Sequence, residues 1–135
     1  MTLRLSSNDW QQLLDWAESA GDAECCGLLR GVKGRVASVT LTENVAPDPR
    51  RNFEVNPAAL IAVHKDARAG GLPLLGYFHS HPNGLAEPSA SDVALAPPDA
   101  CFWLIIAERT ITAWQPAVIN GRVTGFTPIT LVVEG

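Results

Sequence analysis

The run LPLLGYFHSH, residues 72–81, constrains the fold more than any other stretch of this chain. It is short and apolar, it follows Gly70-Gly71, and Pro82 stops it, so it reads as a buried strand. Proline has no amide hydrogen to give a sheet ladder, which puts His79 and His81 at the strand's end. The segment before it, NPAALIAVHKDARAGG, reads as a helix: Asn56 is a plausible N-cap, Pro57 suits the first helical position, and the two glycines end it. A helix feeding a buried strand is the unit from which α/β domains are built.

The rest of the chain fits that unit. The spacing of Trp10, Leu13, Leu14 and Ala17 predicts a first helix over DWQQLLDWAESA, capped by Asn8 or Asp9 and ended by Gly21. AECCGLLRG reads as a buried strand, and VASVTLTEN as a second strand antiparallel to it across a turn at VKGR. VAPDPRRNF, with its two prolines, is a loop. A short helix starts near Ser89 and is cut off by Pro97-Pro98; CFWLIIAE, TITAWQPAV and GFTPITLVV follow as three strands. The expected architecture is therefore α/β, one domain over residues 1–135 with a mixed, partly antiparallel sheet flanked by helices.

The net charge of −4 argues against a nucleic-acid binder, which would show a basic face. No run approaches the about 20 apolar residues that a membrane-spanning helix needs. The N-terminus lacks the apolar core and small-residue cleavage site of a signal peptide, and three cysteines, two of them adjacent, make a poor disulfide framework. A reducing, cytoplasmic setting is expected.

Residues two apart on a strand share a face, so the imidazoles of His79 and His81 project together while Ser80 points away. Two neutral imidazoles converging at a strand end form half of a zinc site. The loop PNGLAEP turns the chain back, and SASD opens a helix whose first turn can bring Asp92 to the strand end as a third ligand. Two histidines and a carboxylate leave one tetrahedral position open, as a catalytic zinc requires. Spacing alone leaves the matter open. An isolated His-x-His is common, and Ser89 with Asp92 three residues on is fully explained as a capping box. The two readings are compatible, because a carboxylate is stabilised in a first helical turn anyway.

HSHPNGLAEPSASD matches, residue for residue, the His-x-His-Pro-x(6)-Ser-x-x-Asp signature of the JAMM (MPN-plus) metalloproteases. ECCGLLRG resembles that family's Glu-x-Cys-Gly-Leu-Leu-x-Gly strand, and the stretch from Asn52 to Pro82 is similar to its bacterial members. The resemblance implies the MPN fold, related in architecture to the cytidine deaminases. It implies zinc held by His79, His81 and Asp92, Glu24 as the general base, and Ser89 as a donor to the oxyanion. It also implies a zinc peptidase or isopeptidase that cuts after the C-terminal Gly-Gly of a small ubiquitin-like, sulfur-carrier protein. The alternative is a non-catalytic MPN scaffold, a class that lacks part of the ligand set that is complete here. A zinc deaminase would need a Pro-Cys-x-x-Cys pair, which the sequence does not contain.

Other residues carry less. His64 reads as a helix residue and not a ligand; Cys25, Cys26 and Cys101 read as core, the first two facing opposite ways. Trp103 and Trp114 are packing residues that could also line a groove. Arg50 and Arg51 are candidates for holding a substrate carboxylate, because the guanidinium fork matches that group; a solvated loop is the stronger account of them.

Overall fold

A computed structural model describes residues 1–135. Along the chain the elements are β1 (Thr2–Ser6), α1 (Ser7–Ala20), β2 (Cys26–Val32), β3 (Arg35–Thr42), α2 (Pro57–Arg68), β4 (Leu74–Ser80), α3 (Ala90–Leu95), β5 (Phe102–Ala107), β6 (Thr110–Ile119) and β7 (Arg122–Glu134). The helices and strands expected from the sequence are all present, with one addition. β1 is a five-residue strand whose Leu3 and Leu5 point into the core. It moves the start of α1 forward: Ser6, not Asn8 or Asp9, is the N-cap, its hydroxyl accepting the Asp9 amide hydrogen at 3.0 Å. β2 begins at Cys26, so Glu24 lies on the approach to the strand rather than within it.

The strands hydrogen-bond in the order β1-β3-β2-β4-β5-β6-β7, and the mixed sheet closes on itself as a barrel. β1 is the closing stave, parallel to both β3 and β7. β4 and β5 are also parallel, and the remaining neighbours are antiparallel. Closure removes the free edges that β3 and β7 would otherwise present.

Side-chain alternation sorts the core into two clusters. On one face Leu29, Phe78, Leu104 and Ile106 pack with Leu13 and Leu14 of α1. On the other, Leu28, Tyr77 and Trp103 pack with Val63 of α2. Cys25 joins the first cluster and Cys26 the second, as the alternation of adjacent residues requires. His79 falls on the Tyr77 face of β4, and His81 follows one residue past the strand's end.

Gly27 shows how closely β2 approaches its neighbours. A Cβ there would collide with the Thr40 carbonyl oxygen of β3 and with the Phe78 ring of β4. That ring is fixed in turn by stacking on Trp16 at 5.8 Å. Gly27→Ala should therefore cost about 1–3 kcal/mol through overpacking. Urea unfolding reads the cost as a lowered midpoint, and an unchanged midpoint would mean that both the β3 backbone at Thr40 and the Phe78 ring are free to move aside. No helix is long and apolar enough to cross a membrane.

Candidate active site

The end of β4 meets the first turn of α3 and the approach to β2, and one titratable cluster lies at the junction. The ligand-capable atoms of Glu24, His79, His81 and Asp92 all lie within 4.8 Å of one another, and all four residues are buried. The Nε2 atoms of His79 and His81 are 2.8 Å apart, and Asp92 Oδ2 is 3.1 and 3.0 Å from them.

Each group is held from behind. The His81 Nδ1 hydrogen is donated to the Leu85 carbonyl at 2.8 Å, which leaves the Nε2 lone pair of the neutral ring facing the cluster. The His79 ring stacks on Phe53 at 4.2 Å and meets Trp103 edge-on at 5.4 Å. Asp92 belongs to a reciprocal capping box: its Oδ2 accepts the Ser89 amide hydrogen at 2.9 Å, and Ser89 Oγ accepts that of Asp92 at 3.0 Å. Both readings of SASD thus apply to the same residues. Ser89 Oγ accepts within this box, and its hydroxyl hydrogen remains free to donate elsewhere.

Glu24 is positioned by its backbone. Its amide donates to the Pro49 carbonyl at 2.7 Å, and its carbonyl accepts from Asn44 Nδ2 at 2.9 Å. Next to it, Cys25 and Ser80 are clamped together: the Cys25 amide donates to Ser80 Oγ, and the Ser80 amide donates to the Cys25 carbonyl. Asn44 and Ser80 were not singled out by the sequence reading. Asn44 ties the 45–53 loop to the site, its Nδ2 also donating to the Asn52 carbonyl and its Oδ1 accepting from the Ala46 and Glu54 amides. An asparagine entering a Pro- and Asp-containing loop is the one local signal of such a turn.

The electrostatics separate the two carboxylates. Burial pushes the Glu24 carboxyl up to about 7, with His81 pulling it back and Asp92 adding to it. Burial would raise Asp92 as well, but its hydrogen bonds to His79, His81 and the Ser89 amide prevail and hold it well below the usual carboxylate range. His79, fully buried, is pushed down by desolvation and stays neutral.

The donor set fits a divalent cation. Two imidazole nitrogens and a carboxylate oxygen face one another in a buried space, while Glu24 Oε1 and His79 Nδ1 have no hydrogen-bond partner. A cation between His79 Nε2, His81 Nε2 and Asp92 Oδ2 would relieve the crowding of lone pairs there, and two imidazoles with one carboxylate suit zinc.

A cleft of about 350 Å³ reaches His81 from the side of Leu14 and Ile106, and two smaller ones open on the carboxylates. One of about 210 Å³ reaches Asp92 and is walled by Phe53, Val55, Tyr77, Leu95 and Trp103. The other, of about 220 Å³, is lined by Glu24, His81, Ser89, Asn83, Arg50 and Arg51, with no hydrocarbon side chain besides that of Pro82. Arg50 and Arg51 thus border the cluster, each in a loose exposed ion pair, with Asp22 at 3.6 Å and Asp48 at 3.7 Å. Trp103 lines the apolar cleft; His64 is exposed on α2, away from the cluster.

A closed mixed sheet with this cluster at the β4–α3 junction defines a JAB/MPN domain. The profile of prokaryotic homologs of the JAB domain matches residues 6–117, and the chain belongs to that JAMM/MPN family. Among curated relatives, a desampylase of Haloferax volcanii is 35% identical over 78 residues, 55% of this chain and 56% of the relative. A probable TtuB-protein conjugate cleaving protease of Thermus thermophilus is 39% identical over 70 residues, 52% of this chain and 47% of that protein. The alignments thus span about half the length of these relatives. A solution structure of a Desulfitobacterium hafniense protein superposes with a TM-score of 0.82 at 27% identity, covering 99% of this chain and 93% of the other.

Proposed function

We propose that this chain is a zinc-dependent peptidase or isopeptidase that hydrolyses the amide bond following the C-terminal Gly-Gly of a small ubiquitin-like carrier protein. The convergence of four buried side chains, Glu24, His79, His81 and Asp92, within 4.8 Å carries the reading. The names of the Haloferax and Thermus relatives, a desampylase and a conjugate-cleaving protease, support the same class of reaction.

His79, His81 and Asp92 hold the ion. When bound, zinc supplies Lewis-acid polarisation of the scissile carbonyl and brings the pKa of a water towards about 7. Glu24 takes the proton of the attacking water and passes it to the leaving nitrogen as the carbon–nitrogen bond breaks. Its buried position near the imidazoles suits both halves of that transfer, since a cation beside it lowers its pKa and favours the proton-accepting form. Ser89, whose hydroxyl hydrogen is free, donates to the carbonyl oxygen as it becomes negative. A Gly-Gly tail, having no side chains, fits a narrow channel. Residues 1–135 act in this reading as one catalytic domain, and three free cysteines suit a reducing, cytoplasmic setting.

The protein purified without added metal should carry one zinc per chain by elemental analysis. Incubated with carrier proteins extended beyond Gly-Gly, it should return the mature carrier mass. A chain that takes up no zinc at micromolar concentration and leaves every extended carrier intact would instead be a scaffold.

A further inference from the structure

The His81 Nδ1 hydrogen goes to a main-chain carbonyl, that of Leu85, and a carbonyl is placed by the course of its loop. Residues 82–88 curl on themselves: the Gly84 amide donates to the His81 carbonyl at 3.2 Å, and the Leu85 amide donates to Asn83 Oδ1 at 3.0 Å. Those bonds shape the curl without fixing it against the barrel. One bond from a neighbouring strand does so. Thr112 Oγ1 of β6 donates its hydrogen to the Ala86 carbonyl at 2.7 Å, one residue beyond Leu85. We propose that Thr112 is a positioning residue for His81, holding the loop so that the Leu85 carbonyl keeps the imidazole turned with Nε2 towards the site. The proposal rests on the zinc reading above and adds to it a residue that touches neither the ion nor the substrate.

Strand alternation explains why this residue reaches the loop. Along β6, Ile111 and Ala113 point into the first core cluster, so Thr112 and Trp114 share the opposite face, the one that carries Tyr77. Their spacing lets the Trp114 indole N–H donate to Thr112 Oγ1 at 2.8 Å. That bond occupies a lone pair of the hydroxyl and leaves its single hydrogen for one acceptor. Two carbonyls compete for it, Ala86 at 2.7 Å and the cross-strand Ile105 at 3.5 Å, and the shorter contact prevails. A directed chain results, from the indole through the hydroxyl to the loop, and from His81 back to the loop's Leu85 carbonyl. Strand pairing alone would be served as well by valine, which has the same branched shape and strand preference but no hydroxyl. For a metal site the difference matters, because the partner behind a ligating imidazole orients the ring and raises the basicity of the nitrogen that faces the ion. A loop free to drift would let His81 Nε2 leave its place 2.8 Å from His79 Nε2 and 3.0 Å from Asp92 Oδ2. Pro82 and Asn83 of the same loop also wall the cleft beside Glu24, so the tether places that wall too.

The test compares wild type, Thr112→Val and Thr112→Ser as full chains. In the valine variant the zinc affinity, read by competition with a chelator, should fall by about tenfold, the lower end of what a partner behind a metal ligand is worth. Serine keeps the hydroxyl and should hold the affinity within about threefold of wild type. A second readout needs no metal: hydrogen exchange of single amides, followed by NMR in the metal-free chains. The Gly84 and Leu85 amides should exchange about fivefold faster in Thr112→Val, the scale of one lost neutral hydrogen bond, and at the wild-type rate in Thr112→Ser. Thr112→Ala removes the same hydroxyl and gives the same two readings should the valine chain not fold. A role confined to the strand would lower the urea midpoint and leave loop exchange and zinc affinity unmoved, and that result overturns the proposal. Equal losses in the valine and serine variants overturn it as well, as does faster loop exchange with an unmoved zinc affinity; in each case the zinc reading stands. If wild type takes up no zinc while Thr112→Val still frees the Gly84 and Leu85 amides, the zinc reading fails and the hold of Thr112 on the His81 loop survives.

Discussion

Glu24→Gln is expected to keep one zinc per chain and to lower kcat by about 10²–10⁴-fold, the range that general acid–base catalysis supplies. The replacement preserves volume and shape, and the residue is held through its backbone by Pro49 and Asn44, so its position survives. What disappears is the ability to accept a proton. A second consequence follows in the metal-free protein, where burial raises the Glu24 carboxyl from 4.5 to about 7. A raised acid is harder to ionise folded than unfolded, so it costs no stability below 4.5, and the cost grows until the folded group ionises near 7. Metal-free Glu24→Gln should therefore be more stable than metal-free wild type at pH 8, with the gap closing at pH 4. Turnover by the zinc-loaded variant within tenfold of wild type would remove Glu24 from the mechanism. Urea unfolding at the two pH values checks the electrostatic half separately.

The parts of this site that were legible in the sequence are those set by local periodicity. His79 and His81 share a face because they are two apart on a strand, and Pro82 marks where that strand ends. Asp92 was legible because a capping box fixes a carboxylate in the first turn of α3. β1 was not, because five residues carry little periodic signal and the strand's partner, β7, comes from the far end of the chain. Barrel closure depends on that pairing and is invisible for the same reason. The positioning shell was hidden by a different effect. Ser80 points away from the histidines, and that orientation lets its hydroxyl accept the Cys25 amide hydrogen and set the approach of Glu24. Asn44 acts across twenty residues of chain to hold the Glu24 carbonyl. Arg50 and Arg51 were ambiguous because loop arginines are usually solvated; the folded chain adds that they line one cleft with Glu24.

Asp92→Ala tests whether one side chain both caps α3 and holds the proposed ion. As a cap its loss should cost about 1 kcal/mol, the typical value for removing such a residue. As a ligand its loss should weaken zinc binding by more than about a hundredfold, since outer-shell changes alone cost 10–100-fold. Metal-free Asp92→Ala should also lose more stability than capping explains, because it strips the carboxylate partner from two buried imidazoles. Ser89→Ala is the matched control: it removes the hydroxyl that accepts the Asp92 amide but leaves the carboxylate, so it should show the capping loss with zinc affinity retained. Asp92→Asn cuts the other way, keeping an oxygen able to accept the Ser89 amide hydrogen while discarding the negative charge. Its helix should stay capped and its metal should be lost. Competition with a chromophoric chelator reads the affinity, and urea unfolding of the metal-free proteins reads the cap. If Asp92→Ala and Ser89→Ala behave alike in both measurements, the carboxylate is a helix cap alone, and the ion has to find its third ligand in Glu24.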